Sequence, residues 1–383
     1  LIGDMLIRGT KKRSYQQLKD ELDRLKADVQ FGDGNPFGGG RPGASVVQVT
    51  TTRENLPQVI ALVAEVLREP SFPPAEFDAF KKERLAQLEE QKNDPPARVI
   101  TTLRQRLSPW PKDDVRYAPT IDESITELKA AKLQDLKALH ALWGGASTEL
   151  AVVGDFDEST IKAELEKAFG SWKASKPWQR IAEPYKASVP GNESITTPDK
   201  EMAFLAVAHS LELRDDDPDY PALTLLNHLL GGAANSRLFE RLRQKEGISY
   251  GVFSQIAADS EDKNGAFFAG ALSAPQNADR AMAAVLEEID KLVKNGVTEA
   301  ELADAKKSYA ANWDSKLAQD DFVVQQLVED LYLGRTLAFW ANVNAKIKAL
   351  TVADIKRVAQ KYVQTQNLTK IRAGDFTKKA AGS

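Results

Sequence analysis

Two duplicated domains of the α+β class, each a mainly antiparallel sheet with helices on one face, are what this sequence of 383 residues predicts. Three observations carry that prediction. First, the chain repeats itself: "LKALHALWGGASTELAVVGDFD" closes the first half and "IKRVAQKYVQTQNLTKIRAGDFT" the second, each reading as helix, strand and Gly-Asp-Phe turn. Upstream, Asn55 matches Asn277 and Ala75-Glu76-Phe77 matches Ala300-Glu301-Leu302, with all offsets between 219 and 225 residues. Second, strands are followed by runs of helices in each half, which argues for α+β layers. Third, Pro, Gly and Ser in "KPWQRIAEPYKASVPGNESITTPDK" break all periodicity between the halves. The domains read as 1–178 and 198–383, with a linker over 179–197.

In chain order, "LIGDMLIRGT" places Leu1, Ile2, Met5 and Leu6 on the stripe of an amphipathic helix already under way. "SYQQLKDELDRLKA" opens with Ser14 as N-cap and Gln17 three residues on, a capping box, and carries Leu18, Leu22 and Leu25 on one face. A strand follows at "SVVQVTTT", then a helix, loop and helix over "RENLPQVIALVAEVLREPSFPPAEFDAFKKERL". In the second half "LLNHLLGG" lies against "LIGDMLIRG", so that Leu225 matches Leu1. "SRLFERLRQKEG" predicts a short helix with Ser236 as N-cap and Gly247 near its end, followed by strands at "ISYGVFSQI" and "GAFFAGALS". The strand-like "MAFLAVAHSLEL" has no counterpart in the first half, so the first repeat lacks its N-terminal strand. A sheet without it leaves an exposed edge, and preceding residues or a partner are expected to cover it. The abrupt helix and the absence of Met at position 1 raise the expectation of a processed or truncated chain.

Composition narrows the function. The formal net charge is -4, and no window collects the Lys and Arg of a nucleic-acid footprint, so no nucleic-acid partner is expected. No apolar run approaches the roughly 20 residues of a membrane span, and no signal peptide is visible. The absence of cysteine excludes disulfides, thiolate zinc sites and a cysteine nucleophile.

His140, His209 and His228 are the only histidines, and no two are three or four residues apart, so no histidine-pair zinc helix can be written. "GDGNPFGGGRPG" lacks the spacing of a phosphate-cradling loop and reads as a surface loop or hairpin. "LLGGAANSRL" reads as a glycine turn between helices that lets the backbone bend sharply or another chain pass close by. Glu89 and Glu90 close a helix charged on most faces, as a solvated helix end does. Arg243, in the last turn of its helix, and Tyr250, in the following strand, admit two readings. They are an arginine well placed at a helix C-terminus and a half-buried strand tyrosine, or a guanidinium and a phenol that converge on a peptide carbonyl.

The stretches "DMLIRGTKKRSYQQLKDELDRLKADVQ", "REPSFPPAEFDAFKKERLAQLEEQKNDP" and above all "NHLLGGAANSRLFERLRQKEGISYGVFSQI" resemble the pitrilysin/insulinase family of inverted-zincin metallopeptidases. That family includes mitochondrial processing peptidase and the respiratory-complex core proteins, and the resemblance covers nearly the whole chain. It implies the mitochondrial-processing-peptidase-like fold. In active members the first helix reads H-x-x-E-H-M-L; anchoring on Met5-Leu6 puts Asp4 at the second histidine and Gly3 at the catalytic glutamate. Glu89 or Glu90 marks the place of the distal ligand. In the second half His228 matches Asp4, but Thr224 and Asn227 hold the other motif positions. No metal is therefore expected in this chain.

What the resemblance implies is retained is Arg243 and Tyr250, which in the family face the zinc site of the other half and bind the substrate backbone. The expected function is the substrate-binding, zinc-free half or subunit of a zinc metallopeptidase. Zn2+ and the general base would come from a homologous H-x-x-E-H partner, whether a separate chain or the preceding part of one polypeptide. The expected ligand is a peptide and the expected compartment the periplasm. The alternative is a structural subunit of the core-protein type or a peptide-holding module.

Overall fold

The computed structural model describes residues 2–32 and 44–377. The first half runs α1 (Ile2–Leu6), α2 (Tyr15–Arg24), β1 (Asp28–Gly32), β2 (Val46–Thr50), α3 (Leu56–Arg68), α4 (Pro74–Gln91), α5 (Pro95–Leu107), α6 (Ile121–Ala130), α7 (Leu133–His140) and α8 (Glu158–Phe169). The second runs β3 (Gly191–Thr196), β4 (Ala203–Leu211), α9 (Tyr220–Asn227), two π-helical segments (His228–Gly232 and Phe239–Lys245), β5 (Gly251–Ala258) and β6 (Gly265–Ser273). It closes with α10 (Ala278–Asn295), α11 (Glu299–Leu317), α12 (Asp320–Tyr332), α13 (Ala338–Ala349), α14 (Val352–Tyr362) and β7 (Thr369–Gly374). The class is α+β, as the strand and helix order predicts.

The second half is built on a five-stranded sheet in the order β3-β7-β4-β6-β5, antiparallel except for the β3–β7 pair. Helices α9, α10, α13 and α14 bury one face of it around Leu205, Val207, Phe267, Leu223, Leu226, Val285 and Ile355. The other face is not bare. Val99 and Leu103 of α5, from the first half, pack against Phe204, Ala206, Ala208, Ile371 and Ala373. Covered on both sides, β4 is buried at every residue, which is why "AFLAVAHSL" shows a continuous apolar run instead of alternation.

The first half has its own core of Met5, Leu6, Leu18, Leu25, Val59, Val63 and Phe77, over a sheet of β1 and β2 alone. Residues 149–153, read from the sequence as the closing strand, belong to no ladder. Their match in the second half, β7, bonds to β4 on one side, and no counterpart of β4 is found among the described first-half residues.

The structure departs from the sequence reading elsewhere too. The last residues of the linker form β3, a polar edge strand with a single buried apolar residue, Ile195, parallel to β7. The helix expected over "SRLFERLRQKEG" is wound as a π-helix across Phe239–Lys245, with the Glu246 N–H donating to the Arg241 carbonyl at 3.1 Å. Residues 33–43 of the glycine-rich "GDGNPFGGGRPG" lie outside the described residues.

Side chains repeat with the duplication. Lys81 on α4 donates to the carbonyls of Lys129 and Ala131 at the end of α6, at 2.7 and 2.9 Å. Lys306 on α11 donates to those of Lys348 and Leu350 at the end of α13, at 2.9 and 2.5 Å. A cation thus closes the same helix end in both halves, where unpaired carbonyls and the helix dipole favour positive charge.

Candidate functional site

The connection that carries Arg243 and Tyr250 is held from three sides. Asn227, at the end of α9, accepts the Ser254 hydroxyl at its side-chain oxygen (2.7 Å) and at its carbonyl (3.1 Å). The π turn that follows lays Gly231 directly on β5: a β-carbon there would sit 2.8 Å from the Ser254 nitrogen and 2.9 Å from the Phe253 carbonyl carbon. Only glycine lets the two backbones approach so closely.

Two arginines, one within the second π-helical segment and one just before it, tie this helix to its neighbours. Arg241 pairs with Glu246, with Glu287 at 3.0 Å and with Glu288 at 3.1 Å; these hydrogen bonds hold its guanidinium far above its ordinary pKa. Just before the segment, Arg237 forks onto Glu301 at 2.8 and 3.0 Å and onto the Gly296 carbonyl at 2.9 Å. Arg243 makes no ion pair among the described residues. Its guanidinium lies 5.3 Å from the centre of the Phe239 ring and is otherwise exposed.

The chain then turns at Gly247, whose φ of 62° suits glycine, and buries Ile248 beside Leu242 in the core. The Tyr250 N–H donates to the Leu272 carbonyl at 2.8 Å, and Ser249 Oγ donates to the same carbonyl at 2.7 Å. The Tyr250 side chain is 62% exposed. Both candidate donors therefore stand on a fixed backbone with solvent-facing, uncommitted polar groups. No hydrogen bond joins one to the other.

At the degenerate zinc positions, Gly3 is buried and Asp4 exposed on α1. A β-carbon at Gly3 would lie 3.0 Å from Cβ of Phe31 on β1. A side chain at Gly3, the position that the resemblance aligns with the catalytic glutamate, would press on Phe31. Glu89 and Glu90 are exposed on the last turn of α4, where Glu89 pairs with Lys92 at 2.9 Å. The α4 carboxylates that are tied to the α1 end are Glu76 and Glu83, through Arg8, at 3.3 and 3.5 Å.

The three histidines are dispersed, and each has one hydrogen-bond partner, although the Nε2 of His209 is buried without one. His140 Nε2 meets the Leu67 carbonyl at 2.7 Å, His209 Nδ1 the Ser210 carbonyl at 3.0 Å, and His228 Nε2 the Ser308 hydroxyl at 2.7 Å. Burial holds His209 below its ordinary pKa, and burial with the charge of Lys316 does the same for His228. Among the described residues no three His, Asp or Glu side chains gather as a metal site. The residues at Gly3, Asp4 and Phe31 do not fit a zinc ion.

Sequence reasoning missed the Arg237–Glu301 and Arg241–Glu288 anchors. Their signal was present in "RLFERLR", where arginines four apart lie on one helical face.

The fold is α+β, the described residues gather no metal site, and Arg243 and Tyr250 stand exposed in the second half. Known proteins agree. The family model for the peptidase M16 inactive domain matches residues 130–309, which include Arg243 and Tyr250. The "non-peptidase homolog YmxG" of Helicobacter pylori is 25% identical over 318 residues, 82% of this chain and 71% of its own. The "probable inactive metalloprotease YmfF" of Bacillus subtilis is 26% identical over 261 residues, 63% of this chain and 57% of its own. Among solved structures, a peptidase M16 inactive domain from Pseudomonas fluorescens superposes with a TM-score of 0.82 at 25% identity, covering 100% of this chain and 88% of that one. A protease from H. pylori gives the same TM-score at 18% identity, over 97% of this chain and 88% of that one, and speaks for the fold alone. The chain thus resembles peptidase M16 proteins, and its residues 130–309 match that family's inactive domain.

Proposed function

We propose that this chain is the substrate-binding half of a zinc metallopeptidase, and that a homologous half with H-x-x-E-H supplies the metal and the general base. The observation that carries this reading is Arg243. Its neighbours Arg237 and Arg241 are consumed by carboxylates, while Arg243 is held on the same rigid element with its charge unspent. A permanently charged fork beside an exposed phenol suits a peptide carbonyl on which negative charge develops.

Mixed with a zinc-bearing family member that it assembles with, the chain is expected to raise peptide cleavage above that of either protein alone. Tyr250→Phe and Arg243→Ala should each lower that turnover by roughly 10²–10³-fold, about 2.7–4 kcal/mol of barrier, with assembly intact by gel filtration. Turnover within a few-fold of the unsubstituted complex would overturn the role of the pair. The name "non-peptidase homolog" borne by the H. pylori relative favours the second reading, a subunit that holds peptides or structure without proteolysis. Cleavage that is not enhanced by any zinc-bearing partner would select it.

A further inference from the structure

A groove of about 500 Å³ lies at the boundary of the two halves, and neither Arg243 nor Tyr250 lines it. One wall is a polar stripe of α5, where Arg98, Thr101, Thr102 and Gln105 fall at the i, i+3, i+4, i+7 spacing of a single helical face. The apolar face of the same helix, Val99 and Leu103, braces the sheet of the second half. Thr120 and Asp122, at the start of α6, form the opposite wall, and Val189 and Glu193 close the groove from the linker and β3.

The charges along these walls are unevenly spent. Glu193 takes Arg106 at 3.0 Å, and Asp122 takes Lys92 at 2.8 Å, a lysine that Glu89 shares. Arg98 is left over. Its Nη1 donates to the Lys92 carbonyl at 3.2 Å, and it pairs with no carboxylate among the described residues. The side chain is half-buried, so a guanidinium with most of its N–H donors uncommitted has given up part of its hydration. One turn further along α5, the Thr101 hydroxyl has no hydrogen-bond partner among the described residues either.

The duplicated scaffold does not require this polarity. Aligning α5 with α12 end to end, and α6 with α13 on the caps at Lys129 and Lys348, sets Val323 against Arg98, Leu331 against Arg106, Phe339 against Thr120 and Trp340 against Ile121. There, aromatic rings pack together: Trp340 lies 5.6 Å from Trp313 and 5.1 Å from Phe339 between ring centres. Where the second half is filled with rings, the first keeps an open hollow beside an unpaired cation.

We propose that this groove binds a singly charged carboxylate, carried by a small organic acid or by the C-terminus of a short peptide. The planar fork of Arg98 matches the two oxygens of a carboxylate, and Thr101 adds a hydroxyl donor on the same face. One unspent positive charge calls for one negative charge. A second would stand against Glu193 and Asp122 in the same space, which disfavours a dianion such as phosphate. The volume falls within the roughly 300–1,000 Å³ of small-ligand sites, and Val189, 45% exposed, offers apolar contact to the body of the ligand.

The test titrates the full chain by calorimetry at constant ionic strength and pH 7.5. The probes are butyrate, acetyl-trialanine with a free C-terminus, the same peptide as its amide, and inorganic phosphate. Binding of the free-acid peptide alone assigns the groove to a peptide terminus; binding of butyrate, with or without the peptide, assigns it to organic acids. Arg98→Gln is expected to weaken binding by about tenfold or more. Arg98→Lys keeps the charge without the fork, should weaken it by a smaller factor, and takes the place of the glutamine variant if that one folds poorly. Arg243→Ala should leave binding unchanged, which separates this site from the role proposed for Arg243. The proposal is overturned if no carboxylate binds up to about 10 mM, or if the amide or phosphate binds as tightly as the free acids. Full-strength binding after substitution of Arg98 in a chain with unaltered circular dichroism overturns it too, as does loss of binding in Arg243→Ala.

Discussion

Gly3 shows how a single missing side chain can close a site. The backbone of α1 lies against Phe31, and at 3.0 Å from Phe31 Cβ a Gly3 β-carbon would oblige β1 to give way. Gly3→Glu with Asp4→His is therefore expected to restore no metal binding and to destabilise the fold by about 1–3 kcal/mol, the usual cost of overpacking. Phe31→Gly in the same background, which removes the Cβ that alanine would keep, should give part of that back, so urea denaturation of the four variants would show a favourable coupling. Strictly additive losses would show that Phe31 does not block the position. The histidines make a second prediction at this scale. His209 and His228 are held neutral by burial, with folded pKa values below the unfolded value of about 6.5. Their contribution to stability is full above that value and is lost as pH falls below it, because the unfolded chain then binds protons that the folded chain refuses. The melting midpoint should drop from pH 7.5 to 5.5, and His209→Asn with His228→Asn should flatten that slope. An unchanged slope would mean that neither histidine resists protonation.

At the scale of elements, the sequence was most legible where local chemistry alone decides. The Ser14–Gln17 capping box forms in both directions, with Gln17 N donating to Ser14 Oγ and Ser14 N to Gln17 Oε1, and Leu18 and Leu25 are buried as their spacing requires. Type and spacing left both readings of Arg243 and Tyr250 open, and could not show the anchors that free Arg243 from other duties, since Glu288 and Glu301 lie 47 and 64 residues from their arginines. What local pattern could not supply was long-range. The π winding of Phe239–Lys245 answers Arg241, which must reach α10 and Glu246 together. Residues 149–153 have a strand's composition, but a strand exists only as part of a ladder, and theirs is incomplete. β3 was hidden for the opposite reason: its residues are polar, and only β7 beside it makes them a strand. The helix caps at Lys81 and Lys306 were likewise unreadable singly, and each is intelligible once the other is seen.

At the scale of the whole molecule, α5 fastens the two halves together. Leu103 is the fulcrum. It sits in the first half by sequence and is fully buried on the sheet of the second, beside Phe204, Ile371 and Ala373. Other links across this boundary lie nearer the surface, among them Arg106 with Glu193 at 3.0 Å, Asn93 with the Pro198 carbonyl at 3.0 Å, Gln325 with Gln48, and the half-exposed ring of Trp178 edge-on to Tyr332. Exposed contacts of that kind contribute about 0–1 kcal/mol each, against about 2–5 kcal/mol for truncating a buried leucine. Apolar burial by α5 thus dominates the coupling. Leu103→Ala is expected to lower stability by about 2–5 kcal/mol and, unlike a core truncation such as Leu223→Ala within the second half, to uncouple the halves. Calorimetry would then resolve two unfolding transitions where the unsubstituted chain gives one. A single sharp transition at reduced temperature in Leu103→Ala would show that the halves are held together by something other than α5. The distinction bears on the proposed function, because Arg243 and Tyr250 stand at the edge of the sheet that α5 braces, and the proposed hold on a peptide carbonyl requires donors whose support does not shift.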